Sequence, residues 1–187
     1  GFQAFDTGDV IDFIKWNTLI PFGTNKVKSY NRLDDTHIEL FLENDIPPVE
    51  IGKDVIENAA TLSKKLGERA VLRALHFYGE NEKVIAQTKA LKEGDFDAFK
   101  DLIIASGRSS YMYNQNVYTC KAPKNQPLSL ALQISELILS GKGAWRVHGG
   151  GFAGTIQAFV PNDLIGEYTD AMKSIFGDDA CYVLSIR

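Results

Sequence analysis

The sequence predicts an α+β domain in which helices come first and pack against a small, mostly antiparallel sheet. Two observations predict it. The middle of the chain carries apolar residues at three- and four-residue steps, and the last third switches to short alternating runs broken by glycine, proline and asparagine. A third observation sets the limits of that domain: the first fifty residues follow neither pattern for long. We therefore divide the chain into residues 1–50, a short helix plus a strand, and residues 51–187, the α+β domain, with the boundary near 47–54.

In chain order, Val10, Phe13 and Ile14 fall on one helical face, and Pro21 and Gly23 end the helix predicted over 9–19. "THIELFLEN" alternates, with Ile38, Leu40 and Leu42 on one side, and predicts a strand that stops before Pro47 and Pro48. Residues 54–93 read as helix interrupted near Gly67, with Ala74, Phe77, Asn81, Val84, Thr88 and Leu91 on one stripe and Gly94 as terminator. Asp95 is the expected N-cap of the next helix and Gly107 its expected end. In residues 127–140 the polar stripe of Ser129, Gln133, Glu136 and Ser140 is narrow, so that helix is expected to be largely buried. Residues 144–148 and 155–160 predict adjacent strands, with Ile156, Ala158 and Val160 facing one way. Asn162 is placed to cap a helix whose stripe is Ile165, Tyr168, Met172, Ile175 and Phe176 and whose end is Gly177. "CYVLSIR" predicts a closing strand.

Composition excludes several classes of function. The 187 residues hold 20 basic and 24 acidic side chains, with no basic block, so no electrostatic footprint for nucleic acid is present. The apolar runs, such as residues 102–105, are far shorter than the roughly 20 residues of a spanning helix, and no membrane association is expected. Cys120 and Cys181 form no C-x-x-C pair, which points to a reducing, cytoplasmic setting. His76 and Glu80 are spaced one helical turn apart, a pattern that fits a solvated helix-face contact better than a ligand set, and no metal site is expected. The chain begins Gly1-Phe2 and not with methionine, from which we expect a piece of a longer protein.

"RVHGGGFAGT" is the stretch richest in chemical possibility, because Gly149, Gly150 and Gly151 carry no β-carbon and admit close approach to their N–H groups. His-Gly-Gly-Gly matches an esterase oxyanion loop, yet the 36 residues after Gly151 contain no G-x-S-x-G elbow and no histidine. A dinucleotide fingerprint over Gly149, Gly151 and Gly154 fails because strand, not helix, follows. No phosphate-binding G-x-x-x-x-G-K-[ST] occurs. A ligand-free bend between two strands stays open beside a functional loop.

"ERAVLRALHFYGENEKVIAQTKALKEGDFDAFKDLIIASGRSSYMYN" followed by "GAWRVHGGGFAGTIQAFVP" resembles the C-terminal part of galactokinases, members of the GHMP kinases. The counterparts of the family's motifs are Arg73, Ala74, His76, Glu80 and Val84, then Leu91, Gly94, Asp95, Phe99, Leu102, Ser106 and Ser109, then Gly143, Ala144, Arg146 and the glycine loop. The resemblance covers about residues 67–187, and residues 1–66 match the family poorly. Departures at His148, Ala153 and Gly107-Arg108 suggest a divergent subfamily. The family's G-E-H-T-D-Y, G-L-S-S-S and M-D-Q segments are absent, and "GRSS" at 107–110 reads as a helix end with local serine hydrogen bonds.

The resemblance implies the ferredoxin-like C-terminal domain of an ATP-dependent sugar kinase that phosphorylates the sugar 1-position. It implies ATP and magnesium as cofactors of the full-length protein, with none bound by this chain alone, and as partners a small-molecule sugar and the N-terminal ATP-binding domain of the same protein. It also implies that Gly149, Gly150, Gly151, Phe152 and Gly154 border the cofactor, and that Arg146 and His148 are substrate-cleft candidates. No catalytic residue is assigned within the chain. A surface ion pair for Arg146 and a hydrogen-bonded edge position for His148 stand as equal alternatives. A non-catalytic sugar-sensing or interaction module built on the galactokinase fold is the alternative function.

Overall fold

A computed structural model describes residues 27–32, 37–42, 49–52, 55–152 and 154–185. The helix expected over 9–19 and the break at Pro47 and Pro48 lie outside them. The chain divides into two compact units, residues 1–85 and 86–187, and the division falls inside a long helix.

In the first unit, β1 (Val27–Arg32), β2 (His37–Leu42) and β3 (Val49–Gly52) form an antiparallel sheet in that order. Leu40 sits opposite Tyr30 on one side and Val49 on the other, and the β1–β2 register shifts between Val27 and Ser29. Sequence alternation had exposed β2 alone. Next, α1 (Ala59–Leu66) ends at Gly67 (φ 86°), as the sequence predicts, and α2 (Glu68–Glu93) begins. Val55, Leu62, Val71 and Ala74 make the buried cluster of this unit.

The expected stripe of α2 needs correction. Thr88 and Leu91 are exposed, and the buried positions are Ala70, Val71, Arg73, Ala74, His76, Gln87 and Ala90. The helical period is right but the face is displaced, because Arg73, His76 and Gln87, which are polar and buried, stand outside the expected stripe. Burial, with Arg69 nearby, lowers Arg73 to about 10. The contact of His76 with Glu80 is not solvated as expected: Nδ1 and Oε1 stand 4.0 Å apart with the His76 side chain 9% exposed, and Lys83 Nζ lies 3.1 Å from the same carboxylate.

In the second unit, Gly94 (φ 73°) ends α2 and the Asp95 side chain accepts from Ala98 N–H at 2.9 Å, capping α3 (Phe96–Ser109) as predicted. Gly107 does not terminate α3. It lies inside the helix because β4 passes beneath it, so close that a Cβ there would stand 3.0 Å from Trp145 O. The helix widens into a π turn (Ser110–Asn114) that closes on Gln115 with φ 56°. Then come α4 (Pro127–Leu139), β4 (Ala144–His148), β5 (Thr155–Phe159) and α5 (Ile165–Phe176).

β4 and β5 pair antiparallel, Trp145 opposite Ala158 and Arg146 opposite Gln157, and alternation sorts their side chains onto two faces. Trp145, Val147, Ile156 and Ala158 pack with α4 and α5 around Ala131, Leu139, Tyr168 and Met172, or with Val117 and Leu128. The other face meets α3: Phe99 and Phe159 stack edge to face at 5.2 Å, and Arg146 reaches Ser106. The unit is helix-rich with a small antiparallel sheet, an α+β arrangement.

Three further expectations change. α4 is half-buried and not largely buried: Leu137 is 75% exposed and Leu130 is exposed, while Ser135, fully buried, bonds Ala131 O and the Tyr168 hydroxyl, each at 2.8 Å. A serine that satisfies its hydroxyl inside the protein can occupy the core side. Asn162 begins a 3-10 turn (Asn162–Leu164) without capping α5 through its side chain, and Ile175 on the expected stripe is exposed. Residues 181–185 form no strand, and Tyr182, Val183 and Leu184 are exposed. Gly177 (φ 97°) does end α5.

Candidate functional site

The glycine loop joins β4 to β5. His148 and Thr155 are the last paired residues, so residues 149–154 must reverse the chain while leaving the ladder. Gly149 (φ 65°), Gly151 (φ 76°) and Phe152 (φ 58°) all take the left-handed region, which explains glycine at the first two positions. Phe152 is strained there by the general rule for side chains with a Cβ.

The strain is held by Asn116, which follows the αL residue Gln115 and precedes Val117, a member of the core cluster with Leu128 and Val147. Phe152 N–H donates to Asn116 O at 2.6 Å, and Asn116 Nδ2 donates to Gly150 O at 3.3 Å. A Cβ on Gly151 would run into the Asn116 carbonyl oxygen. Asn116 is 2% exposed, and its Oδ1 has no hydrogen-bond partner among the described residues. Such a buried acceptor costs ~1–3 kcal/mol, so the asparagine is not a neutral filler.

The outer side of the loop is open. Gly149, Gly150 and Gly154 are exposed, and nothing lies within 4 Å of a Cβ built on Gly149 or Gly150. Gly150 also lies outside the left-handed region, so its backbone accepts a side chain where the space is free.

Arg146 and His148 share one face of β4, two residues apart, as the alternation requires. Arg146 is half-buried on the α3 side, where Nε donates to Gln157 Oε1 at 3.1 Å and a terminal nitrogen donates to Ser106 Oγ at 3.3 Å. His148 is exposed at the strand end beside the loop. Sequence reasoning brought the loop, Arg146 and His148 together but missed Asn116, which lies 34 positions before Gly150 and meets the loop through its backbone oxygen and its side-chain amide, a tertiary contact that local pattern does not record.

A separate open groove of about 290 Å³ runs between α3 and α4, lined by Ile104, Arg108, Tyr111, Gln133, Glu136 and Trp145 among others, and none of the glycine loop borders it. Among the described residues no three His, Cys, Asp or Glu side chains cluster to hold a metal ion, and no helix is long and apolar enough to cross a membrane.

The sequence model of the GLAA-B beta-barrel domain II family matches residues 1–56. Alpha-1,3-galactosidase A of Akkermansia muciniphila is 41% identical over 58 residues, 31% of this chain and 10% of that protein. Galactokinase of Haemophilus influenzae (strain PittEE) is 29% identical over 114 residues, 61% of this chain and 27% of the relative. Galactokinase of Glaesserella parasuis serovar 5 is 30% identical over 124 residues, 66% of this chain and 29% of the relative. Over about three fifths of its length the chain is similar to galactokinases. It spans little more than a quarter of the length of those relatives and a tenth of the galactosidase. The likeness at residues 1–56 is one that motif reading did not find.

Proposed function

We propose that residues 51–187 are the C-terminal domain of a galactokinase-like sugar kinase, of the ferredoxin-like GHMP type, that acts with an ATP-binding lobe supplied elsewhere in the protein and does not phosphorylate sugar alone. The observation that carries this reading is the glycine loop's two-sided character in a chain similar to galactokinases: latched to Asn116 within, bare and open to solvent without.

ATP, with magnesium, supplies the phosphoryl group and the positive charge that phosphoryl transfer needs. The bare backbone over Gly149 and Gly150 fits close approach by a phosphate or by a phosphate-holding loop, with N–H groups as donors. Gly151 and Phe152 hold the curvature of that surface, and Gly154 closes the bend through its N–H to Gly151 O at 3.2 Å. Exposed beside the loop, His148 is the residue we assign to the sugar-facing side. For Arg146 we propose a supporting role, steadying β4 through Gln157 and Ser106. Both sets of relatives are named for galactose or its glycosides, so galactose heads the sugars to be tested. The cytoplasm is the proposed compartment.

The test joins this chain to an ATP-binding lobe that carries the family's phosphate loop and measures ATP consumption over a panel of sugars. Turnover with galactose or a near epimer is expected. Gly150→Val is expected to abolish it with no change in the unfolding midpoint, since space and backbone both admit the side chain. Silence with every sugar defeats the kinase reading and leaves a sugar-sensing or interaction module.

A further inference from the structure

The geometry points to Asn116 as the positioning residue of the glycine loop: its side-chain amide fixes the Gly150 peptide, and through it the orientation of the open Gly149–Gly150 backbone during phosphoryl transfer. This inference rests on the kinase reading above.

Three features of the structure carry it. The backbone oxygen of Asn116 already receives Phe152 N–H, so any residue at 116 would tether the loop there. What asparagine adds is the Nδ2 donor to Gly150 O, one peptide back, which clamps the loop at two successive peptides. Second, this side chain is buried with its Oδ1 unpartnered among the described residues, an unfavourable arrangement that a valine or alanine would avoid. Third, the anchor is rigid: Val117, next in the chain, packs in the core with Leu128 and Val147, and Val147 belongs to the strand that leads into the loop. Loop and clamp therefore share one base.

A group that only presents backbone contributes to rate when its orientation is set before the charge develops. Loss of the clamp should therefore lower kcat and leave ground-state binding nearly untouched.

Asn116→Asp keeps the volume and removes the donor, setting a carboxylate oxygen against the Gly150 carbonyl. In this chain, amide exchange at Phe152 is expected to accelerate roughly 3–10-fold, with exchange in α4 and α5 unchanged. In the protein joined to its ATP-binding lobe, kcat is expected to fall roughly 10–100-fold with KM for sugar and ATP within about twofold. Asn116→Ala should reproduce the kinetic split without the repulsion. Unchanged exchange at Phe152, or a kcat equal to wild type, overturns the inference. So does exchange that accelerates throughout the unit, which would make Asn116 a residue of general stability. A wild type that transfers no phosphoryl group defeats the kinase reading and with it the part played in turnover, while exchange at Phe152 still decides whether the amide holds the loop.

Discussion

Replacing Gly151 by alanine tests the inner side of the loop. At φ 76° an L side chain is strained by ~1–2 kcal/mol. The new Cβ would also run into Asn116 O, the acceptor of the Phe152 N–H, and displacing that oxygen forfeits a hydrogen bond of ~0.5–1.5 kcal/mol. Together these give a loss of about 1.5–3.5 kcal/mol, or a fall in Tm of roughly 3–14 °C for a chain of this size. Gly150→Ala, one residue away, has free space and an unstrained backbone, so reduced freedom in the unfolded chain should make it neutral or stabilising by up to ~1 kcal/mol. Urea unfolding followed by circular dichroism compares the two variants with wild type. Equal midpoints for the two alanines, or a Gly151→Ala protein as stable as its parent, would refute the reasoning.

Two other experiments probe the units separately. Burial, against the raising influence of Glu80, lowers His76 from 6.5 to about 4, helped by Lys83 and Arg73, so the folded state holds it neutral where the unfolded state takes a proton. Its contribution is therefore complete above pH 6.5 and is lost as pH falls toward 4, by up to ~3 kcal/mol. His76→Gln should flatten stability across that window, and parallel pH profiles for variant and wild type would refute the assignment. In the second unit, the Ser135–Tyr168 hydroxyl pair, 2.8 Å apart and buried, should show a coupling of ~0.5–1.5 kcal/mol in a double-mutant cycle of Ser135→Ala and Tyr168→Phe. Strict additivity there would mean the bond contributes nothing.

The readable parts of the sequence were those in which one residue type does one local job. Asp95 caps, Gly94 and Gly177 end helices, and Trp145–Val147 alternation places a strand, all without reference to distant residues. Gly107 misled because glycine has two uses. The helix continues through it, and the missing side chain serves contact with β4, 38 positions later in number. His76 misled in the other direction, and Arg73 and Ser135 went unremarked as core residues, since burial of a polar group depends on tertiary partners that local pattern does not record. Of the candidate site, the glycines were legible and their clamp was not. β1 and β3 lay in a stretch whose family likeness surfaced only by comparison of residues 1–56.

The π turn after α3 holds one residue more per turn than an α-helix would, and that surplus sets where Asn116 comes to rest. Tyr111, Met112 and Tyr113 along it are exposed, so a change of side chain there costs the fold little. Deletion is another matter: a single missing residue swings the residues that leave the turn, Asn116 among them, by about 100° around the helix axis, so that glycines held by their own strands would face a different neighbour. Freedom at exposed positions and intolerance to shortening thus coexist in one turn, whose ends, Ser110 and Asn114, are buried.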